Sequence, residues 1–502
     1  MSDVVPSREE FVSAARRCSV VPVRRELLAD QVTPVAVFGR LCANEASGFL
    51  LASVDHGGRW NRWSFIGRSP RARLVSRGGS ISVEGELPAD LDLTRGVLAA
   101  VEQLLDRYRA EHDDSLPPLH SGLVGFLGYD VVREVEHLPD VPADDRSWPD
   151  AILSVIGDLV ALDHWSQRAI LISNVFVPAG ATDDELLALY DEARVRLDEL
   201  AAAGATPIDE PMVSPPNRAD TLPDVVSSMS PGQYEAAVEV AKEHIRAGDI
   251  FQVVLAQRFD LELDADPFDL YRVLRQINPS PYMYFVREPE VCLVGCSPEP
   301  MVQLLDGPVI SRPIAGTRFR GATDEHDRRL AAELAEHPKE RAEHIMLVDL
   351  ARNDVGRVVE YGTCTVDEMM TLERFSHVMH LTSQVSGRLA AGRTPIDVLR
   401  ATLPAGTVSG APKVRAMEII DELEPSKRGA YAGAVGYLSF QDDMDTAIAL
   451  RTAVVRDGTL HVQAGAGIVH DSTPEGEWQE TLNKARALMR AADLVEAGLD
   501  TA

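Results

Sequence analysis

The stretch from about Ala201 to Ser230, AAAGATPIDEPMVSPPNRADTLPDVVSSMS, does most to limit how this chain can fold. Pro, Ala, Ser and Asp recur in it with neither helical nor strand periodicity. So long an aperiodic run inside a folded chain reads as a linker or an excursion between two halves. The chain has 502 residues, more than a single core usually serves. The expected division is therefore an N-terminal part over 1–205, a linker over 206–230 and a C-terminal part over 231–500.

The first half offers strands in SVIGDLVALDHW and RAILISNVFV, then a helix in DDELLALYDEARVRLDELAAA. The second opens on a well-marked helix. Ser230, Pro231 and Gln233 supply an N-cap, a first-turn proline and a capping-box partner, and Gly248 falls where the helix should stop. Tyr234, Val238, Ala241 and Ile245 share one face, and DIFQVVLAQRFDLEL then reads as a strand. Strands and helices intermix without the alternation of a Rossmann sheet, and neither GxGxxG nor a P-loop lysine motif is present. The pattern favours a mixed α+β architecture with large sheets.

Five scattered cysteines, an odd number, argue for a reducing compartment and against a disulfide framework. Cys292 and Cys296 lie close, but VCLVGCSPEP reads as a strand. No apolar run approaches the roughly 20 residues that span a bilayer, and MSDVVPSREEF lacks a signal-peptide layout. A cytoplasmic protein is expected. A formal charge of −29 makes nucleic acid a poor partner. Anionic small molecules stay open, because salt screens distant charge within about 8–10 Å.

Two acidic motifs stand out. PKERAEHIMLVDLARND sets Glu340 and Glu343 at i,i+3, and STPEGEWQETLNKARALM sets Glu477, Glu480 and Lys484 at i, i+3 and i+7. Each spacing puts its carboxylates on one helix face. Two such faces meeting would suit a hard, oxygen-bound cation, Mg²⁺ above all. Either motif alone also describes a solvated face, with Glu480 and Lys484 as an ion pair. In CSPEP, Glu299 follows an apolar strand, where it is either a partly buried acid with a raised pKa or an exposed turn residue. SHVMHL carries His377 and His380, whose plain reading is a satisfied core histidine. LPAGTVSGAPKVRAMEII enters a helix with Thr407, Ser409 and Lys413 expected at its mouth. VQAGAGIV sets Gly465 and Gly467 around Ala466, which fits either a ligand against bare backbone or a tight bend. Arg451 interrupts a buried-looking strand and needs a partner. PIAGT, from Pro313 to Thr317, reads as a turn before Arg318 and Arg320, with Ala315 at its centre.

Together these residues resemble the chorismate-utilising enzymes, specifically anthranilate synthase component I, from about Gly48 to Leu494. AGDIFQVVLAQR, INPSPYMYF, CSPEP, RPIAGTRFRG, EHIMLVDLARNDVGRV, PAGTVSGAPKVRAMEIIDELEP, RGAYAGAVGY, QAGAGIV and EWQETLNKA occur in that order. The resemblance implies a sandwich-like core of large mixed or antiparallel sheets flanked by helices. It implies that Glu343 and Glu480 bind Mg²⁺ with support from Glu340 and Glu477, and that Glu299 protonates the departing 4-hydroxyl of chorismate. Arg451 and Tyr431 would hold the enolpyruvyl carboxylate, and Gly465, Ala466 and Gly467 the ring region. Gly316, Thr317 and Lys484 would line the pocket, with His380 and Thr407 on the face where ammonia adds.

Two positions sort the subfamilies. Isochorismate and salicylate synthases resemble this chain but carry a water-activating lysine at the position of Gln252, and aminodeoxychorismate synthases carry a lysine in the turn that holds Ala315. Gln252 cannot act as a base, and Ala315 leaves the ring open to free ammonia. The resemblance therefore implies amination to 2-amino-2-deoxyisochorismate and pyruvate elimination to anthranilate, with an amination-only enzyme as the alternative hardest to exclude. It also implies a glutamine amidotransferase partner, in a heterodimer or heterotetramer. Finally, Ser53, Asn278, Pro279, Pro281, Tyr282, Met283 and Tyr284 match the family's tryptophan-sensing site, where the usual LLES is LLAS and Ala52 replaces a glutamate. Tryptophan inhibition is expected to be weakened. A non-catalytic sensor of the same fold would be expected to lose acids that this chain keeps.

Overall fold

A computed structural model describes residues 3–53, 62–207, 223–374 and 378–496. Two antiparallel sheets, of thirteen and eleven strands, dominate these residues. The larger runs from Val4–Val5 through Val20–Leu28, Arg168–Phe176, Asp158–Asp163, Trp63–Arg68 and Gly48–Ala52. It continues through Tyr282–Arg287, Cys292–Ser297, Thr452–Arg456, Thr459–Ile468 and Gln252–Glu262 to Val226–Ser227, with Gly410–Ala411 also paired to Gln252–Glu262. The smaller runs from Ile314–Phe319 through Val378–Arg388, Pro308–Ser311, Pro300–Leu304, Met444–Ile448 and Ala434–Ser439. Gly122–Leu127, Ala151–Val155, Ala72–Arg77 and Ser80–Gly85 complete it, and Thr365–Arg374 pairs with Val378–Arg388. Residues 1–205 and 231–500 each contribute strands to both sheets. The expected linker over 206–230 falls largely outside the described residues, as does His377.

The sheets face each other across a shared apolar layer. Phe65, Leu159, Ile172 and Tyr284 enter it from the larger sheet, and Val124, Phe126, Ile152 and Tyr437 from the smaller. Period-two alternation sends neighbouring side chains to opposite faces. On Tyr282–Arg287, Tyr284 and Val286 point between the sheets. Met283 and Phe285 point outward, to a layer shared with Phe38, Tyr190, Tyr271 and Leu488 from helices Pro34–Cys42, Asp183–Ala205, Pro267–Ile277 and Pro474–Glu496. Strands buried on both faces read as continuous apolar runs, which explains why their alternation is faint in the sequence.

The helix opening the second half forms as expected over Pro231–Ala247, with the Ser230–Gln233 capping box and a left-handed Gly248. SVIGDLVALDHW is two strands, Ala151–Val155 and Asp158–Asp163, in different sheets. PIAGT is a bulged strand in place of the expected turn. Register shifts between Ala315 and Thr317, leaving Gly316 as the extra residue at φ +67°. A Cβ at Gly316 would lie 2.8 Å from Leu334 Cδ1 and 3.0 Å from Glu340 Oε2, and the left-handed backbone there favours glycine.

Candidate active site

The chain passes from one sheet to the other at two places that carry the site. Ser297-Pro298-Glu299-Pro300 joins Cys292–Ser297 of the larger sheet to Pro300–Leu304 of the smaller, and residues 449–451 return from Met444–Ile448 to Thr452–Arg456. The crossings are tied together. Ser297 Oγ donates to the Ile448 carbonyl at 2.6 Å, Ile448 N–H donates to the Glu299 carbonyl at 3.1 Å, and Cys296 N–H donates to the Arg451 carbonyl at 3.1 Å. Glu299 is thereby placed on a rigid junction, 7% exposed, facing a small cavity of about 30 Å³.

Burial pushes the Glu299 carboxyl up to about 8, against smaller opposing effects of Thr407, the Ile314 amide and Lys484. At neutral pH it holds a proton, as a general acid must. The Thr407 hydroxyl lies in the same cavity, close enough to the Glu299 carboxyl to stabilise its charged form. Arg451 adopts φ +48°, a strained conformation for arginine. Among the described residues, no ion pair or hydrogen bond engages its guanidinium, although most arginines of this acidic chain are paired. A half-buried cation left this way is suited to an anion.

His380 lies opposite Thr317 in the bulge. Its Nδ1 is 3.1 Å from both the Gly316 carbonyl and Thr317 Oγ1. Donation from Nδ1–H to that carbonyl fixes the tautomer. Burial lowers its pKa to about 4, so the imidazole is neutral. Ala315 is buried beside Leu381, one residue past Ile314, whose amide reaches Glu299.

The glycines of VQAGAGIV also make room within the fold. A Cβ at Gly465 would lie 2.7 Å from the Tyr431 hydroxyl, and one at Gly467 would lie 2.5 Å from Gln252 Nε2. Both make room for protein side chains against the strand, while Ala466 between them is fully buried. Lys484 Nζ donates to the Gly465 carbonyl at 3.0 Å and pairs with Glu480 at 2.8 Å. Glu340 pairs with Arg318 at 3.2 Å. Glu343 lies on the same stripe of helix Pro338–Gly356 as Leu347 and Ala351, which line the Glu299 cavity. Glu477 lies one turn before Glu480 on Pro474–Glu496. Among the described residues, no three His, Cys, Asp or Glu side chains gather closely enough to hold a metal ion. The four carboxylates have the chemistry of a Mg²⁺ site, and Glu340 and Glu480 pair with Arg318 and Lys484.

Lys413 and Ser409 are not at a loop mouth. Lys413 pairs with the buried Asp354 at 2.6 Å, and the buried Ser409 donates from Oγ to the Ala405 carbonyl at 2.9 Å. The sequence reading assigned no role to Glu424 and Arg428. This buried pair ties the Gln252 strand to the Thr407 turn, with Arg428 donating to the Val254 carbonyl at 2.8 Å and the Val408 carbonyl at 2.7 Å. Only a charge inside the motif EPSKRGAY hinted at it.

The residues expected to sense tryptophan come from both halves of the chain. Met283 pairs with Ala52, which places Ser53 at the end of that strand beside the 278–284 segment. Asn278 Nδ2 donates to Cys296 Sγ at 3.2 Å, Tyr282 hydroxyl donates to Asp445 at 2.9 Å, and Tyr284 hydroxyl contacts Thr452. Pro279 and Pro281 flank the buried Ser280.

The chorismate binding enzyme family model matches residues 54–490, and the chain belongs to that family. Within it, the chain is 45% identical to anthranilate synthase component 1 of Mycolicibacterium smegmatis over 97% of this chain and 93% of that one. It is 43% identical to the Aquifex aeolicus protein of the same name, over 98% of each. Anthranilate synthase component I from Streptococcus pneumoniae superposes with a TM-score of 0.74 at 37% identity, covering 92% of this chain and 99% of that one. The menaquinone-specific isochorismate synthase of Escherichia coli shares the fold, with a TM-score of 0.68 at 20% identity over 97% and 98%.

Proposed function

We propose that the chain is the large subunit of an anthranilate synthase, adding ammonia to chorismate and eliminating pyruvate. The observation that carries the reading is the protonated Glu299 at the sheet crossing, with Gln252 and Ala315 where related enzymes that add water or form a lysine adduct need an amine. Glu299 gives its proton to the departing 4-hydroxyl as ammonia forms the C–N bond at C2, the far end of the ring diene; the two ring double bonds shift by one position, the C4–O bond breaks and water leaves. Arg451 and Tyr431 hold the enolpyruvyl carboxylate. The neutral His380 is able to take the ring proton as the enolpyruvyl C–O bond breaks, releasing pyruvate and leaving anthranilate.

Glu343 and Glu480, supported by Glu340 and Glu477, would hold Mg²⁺ once Arg318 and Lys484 release their partners. When bound, the metal polarises the ring carboxylate. We place the enzyme in the cytoplasm, supported by five free cysteines. No described helix is long and apolar enough to cross a membrane. A glutamine amidotransferase partner supplies ammonia, as the name component 1 of the relatives suggests.

The test is to mix the chain with chorismate, Mg²⁺ and ammonium at mildly alkaline pH. Anthranilate fluorescence and equimolar pyruvate are expected. A stable aminated product without pyruvate would select the amination-only reaction.

A further inference from the structure

Arg428 stands among the elements that carry the site, yet outside the site itself. It is buried, on the segment between helix Lys413–Leu423 and strand Ala434–Ser439. Its Nη1 donates to the Val408 carbonyl at 2.7 Å and its Nη2 to the Val254 carbonyl at 2.8 Å. Its Nε donates to Glu424 Oε2 at 2.9 Å, and Glu424 Oε1 accepts from the Ala256 amide at 2.8 Å. One guanidinium thus ties the turn Gly406–Val408 to strand Gln252–Glu262, and its carboxylate partner fixes it to that same strand.

A buried ion pair is a weak source of stability, since apolar residues of similar size often do as well. What this pair supplies is direction. The planar fork meets both carbonyls only in one orientation, and the paired carboxylate sets it. Val408 follows Thr407, whose hydroxyl lies beside the Glu299 carboxyl and favours its charged form. Other ties of this turn to the strand lie further along, at the Ser409 carbonyl and at Gly410–Ala411. We infer that Arg428 is a positioning residue for the general acid: through the Val408 carbonyl it holds the Thr407 hydroxyl against Glu299. The inference rests on Glu299 as the acid of the proposed reaction. Of the charged groups around Glu299, Lys484 acts on it directly, and Asp354, paired with Lys413, lines the same cavity. Among the described residues, Arg428 pairs with none of these, so a change at Arg428 reaches Glu299 by way of Thr407.

Anthranilate formation by the isolated chain at fixed free ammonia, followed from about pH 6 to 10, tests this. Arg428→Lys keeps the charge but cannot reach Glu424 and both carbonyls together. With Thr407 free to turn away, the charged form of Glu299 loses support and its pKa rises. The alkaline fall in rate should therefore move up by about half a pH unit or more, with the plateau rate down about tenfold. Thr407→Val should move the fall by a similar amount. Arg428→Lys combined with Thr407→Val should move it no further, because both act on one interaction. A merely structural Arg428 would lower the folded fraction and leave the position of the fall unchanged. That result, or shifts that add in the double variant, overturns the role. If Arg428→Lys does not fold, Glu424→Gln with Arg428→Gln, which removes both buried charges together, decides by the same shift. A wild-type rate level to about pH 10 overturns Glu299 as the acid, and this role with it.

Discussion

At the scale of single residues, Glu299 sets the pH behaviour. Its folded pKa of about 8 lies above the ordinary 4.5. Between those values the folded chain keeps a proton that the unfolded chain has released. Its contribution to stability is therefore present below the ordinary pKa and is lost as pH rises through about 8, by at most about 1.4 kcal/mol per pH unit. Glu299→Gln should flatten that decline in urea midpoints measured from pH 5 to 9. Turnover at fixed free ammonia should fall above about pH 8 and drop on the order of a hundredfold in the variant. A wild-type rate that is level to pH 10 would remove Glu299 as the acid. Glu299 and Arg451 were legible in the sequence because each sets a charge beside an apolar strand. Asp354 and Lys413 were not, since their pairing spans 59 residues and neither motif signals the other.

At the scale of elements, the bulge at Gly316 matters most. The Pro and Gly of PIAGT suggested a turn because both residues favour one. In the fold, Gly316 interrupts a strand and turns its carbonyl toward His380. Gly316→Ala would force a Cβ onto Leu334 and Glu340 in a left-handed conformation. A loss of about 1–3 kcal/mol is expected in urea unfolding, with turnover reduced roughly tenfold or more as His380 shifts. Unchanged stability and rate would show that the bulge is not needed. Helices with clear caps, such as Pro231–Ala247, were legible from local chemistry. The two crossings between sheets were not, because nothing in a strand's own sequence names the sheet it joins.

At the scale of the molecule, the segment expected to sense tryptophan sits on the seam where Gly48–Ala52 meets Tyr282–Arg287 in the larger sheet. We propose that tryptophan binds beside Ser53 and that the missing carboxylate at Ala52 weakens it by about 10- to 100-fold relative to a family member with glutamate. Inhibition at low micromolar tryptophan would refute this, and Ala52→Glu should tighten it. The smaller sheet has a similar seam, where Gly122–Leu127 meets Ala434–Ser439. Composition marked a break near residues 206–230 but carried no sign that strands from the two sides alternate in space, because pairing over such distances leaves no local pattern. This shared construction bears on engineering. The first half is not a detachable module: removing residues 1–207 would strip both seams at once and leave two apolar strands, Tyr282–Arg287 and Ala434–Ser439, as open edges prone to aggregation. Changes at the Ser53 end of that seam therefore have to be made by point substitution, never by truncation.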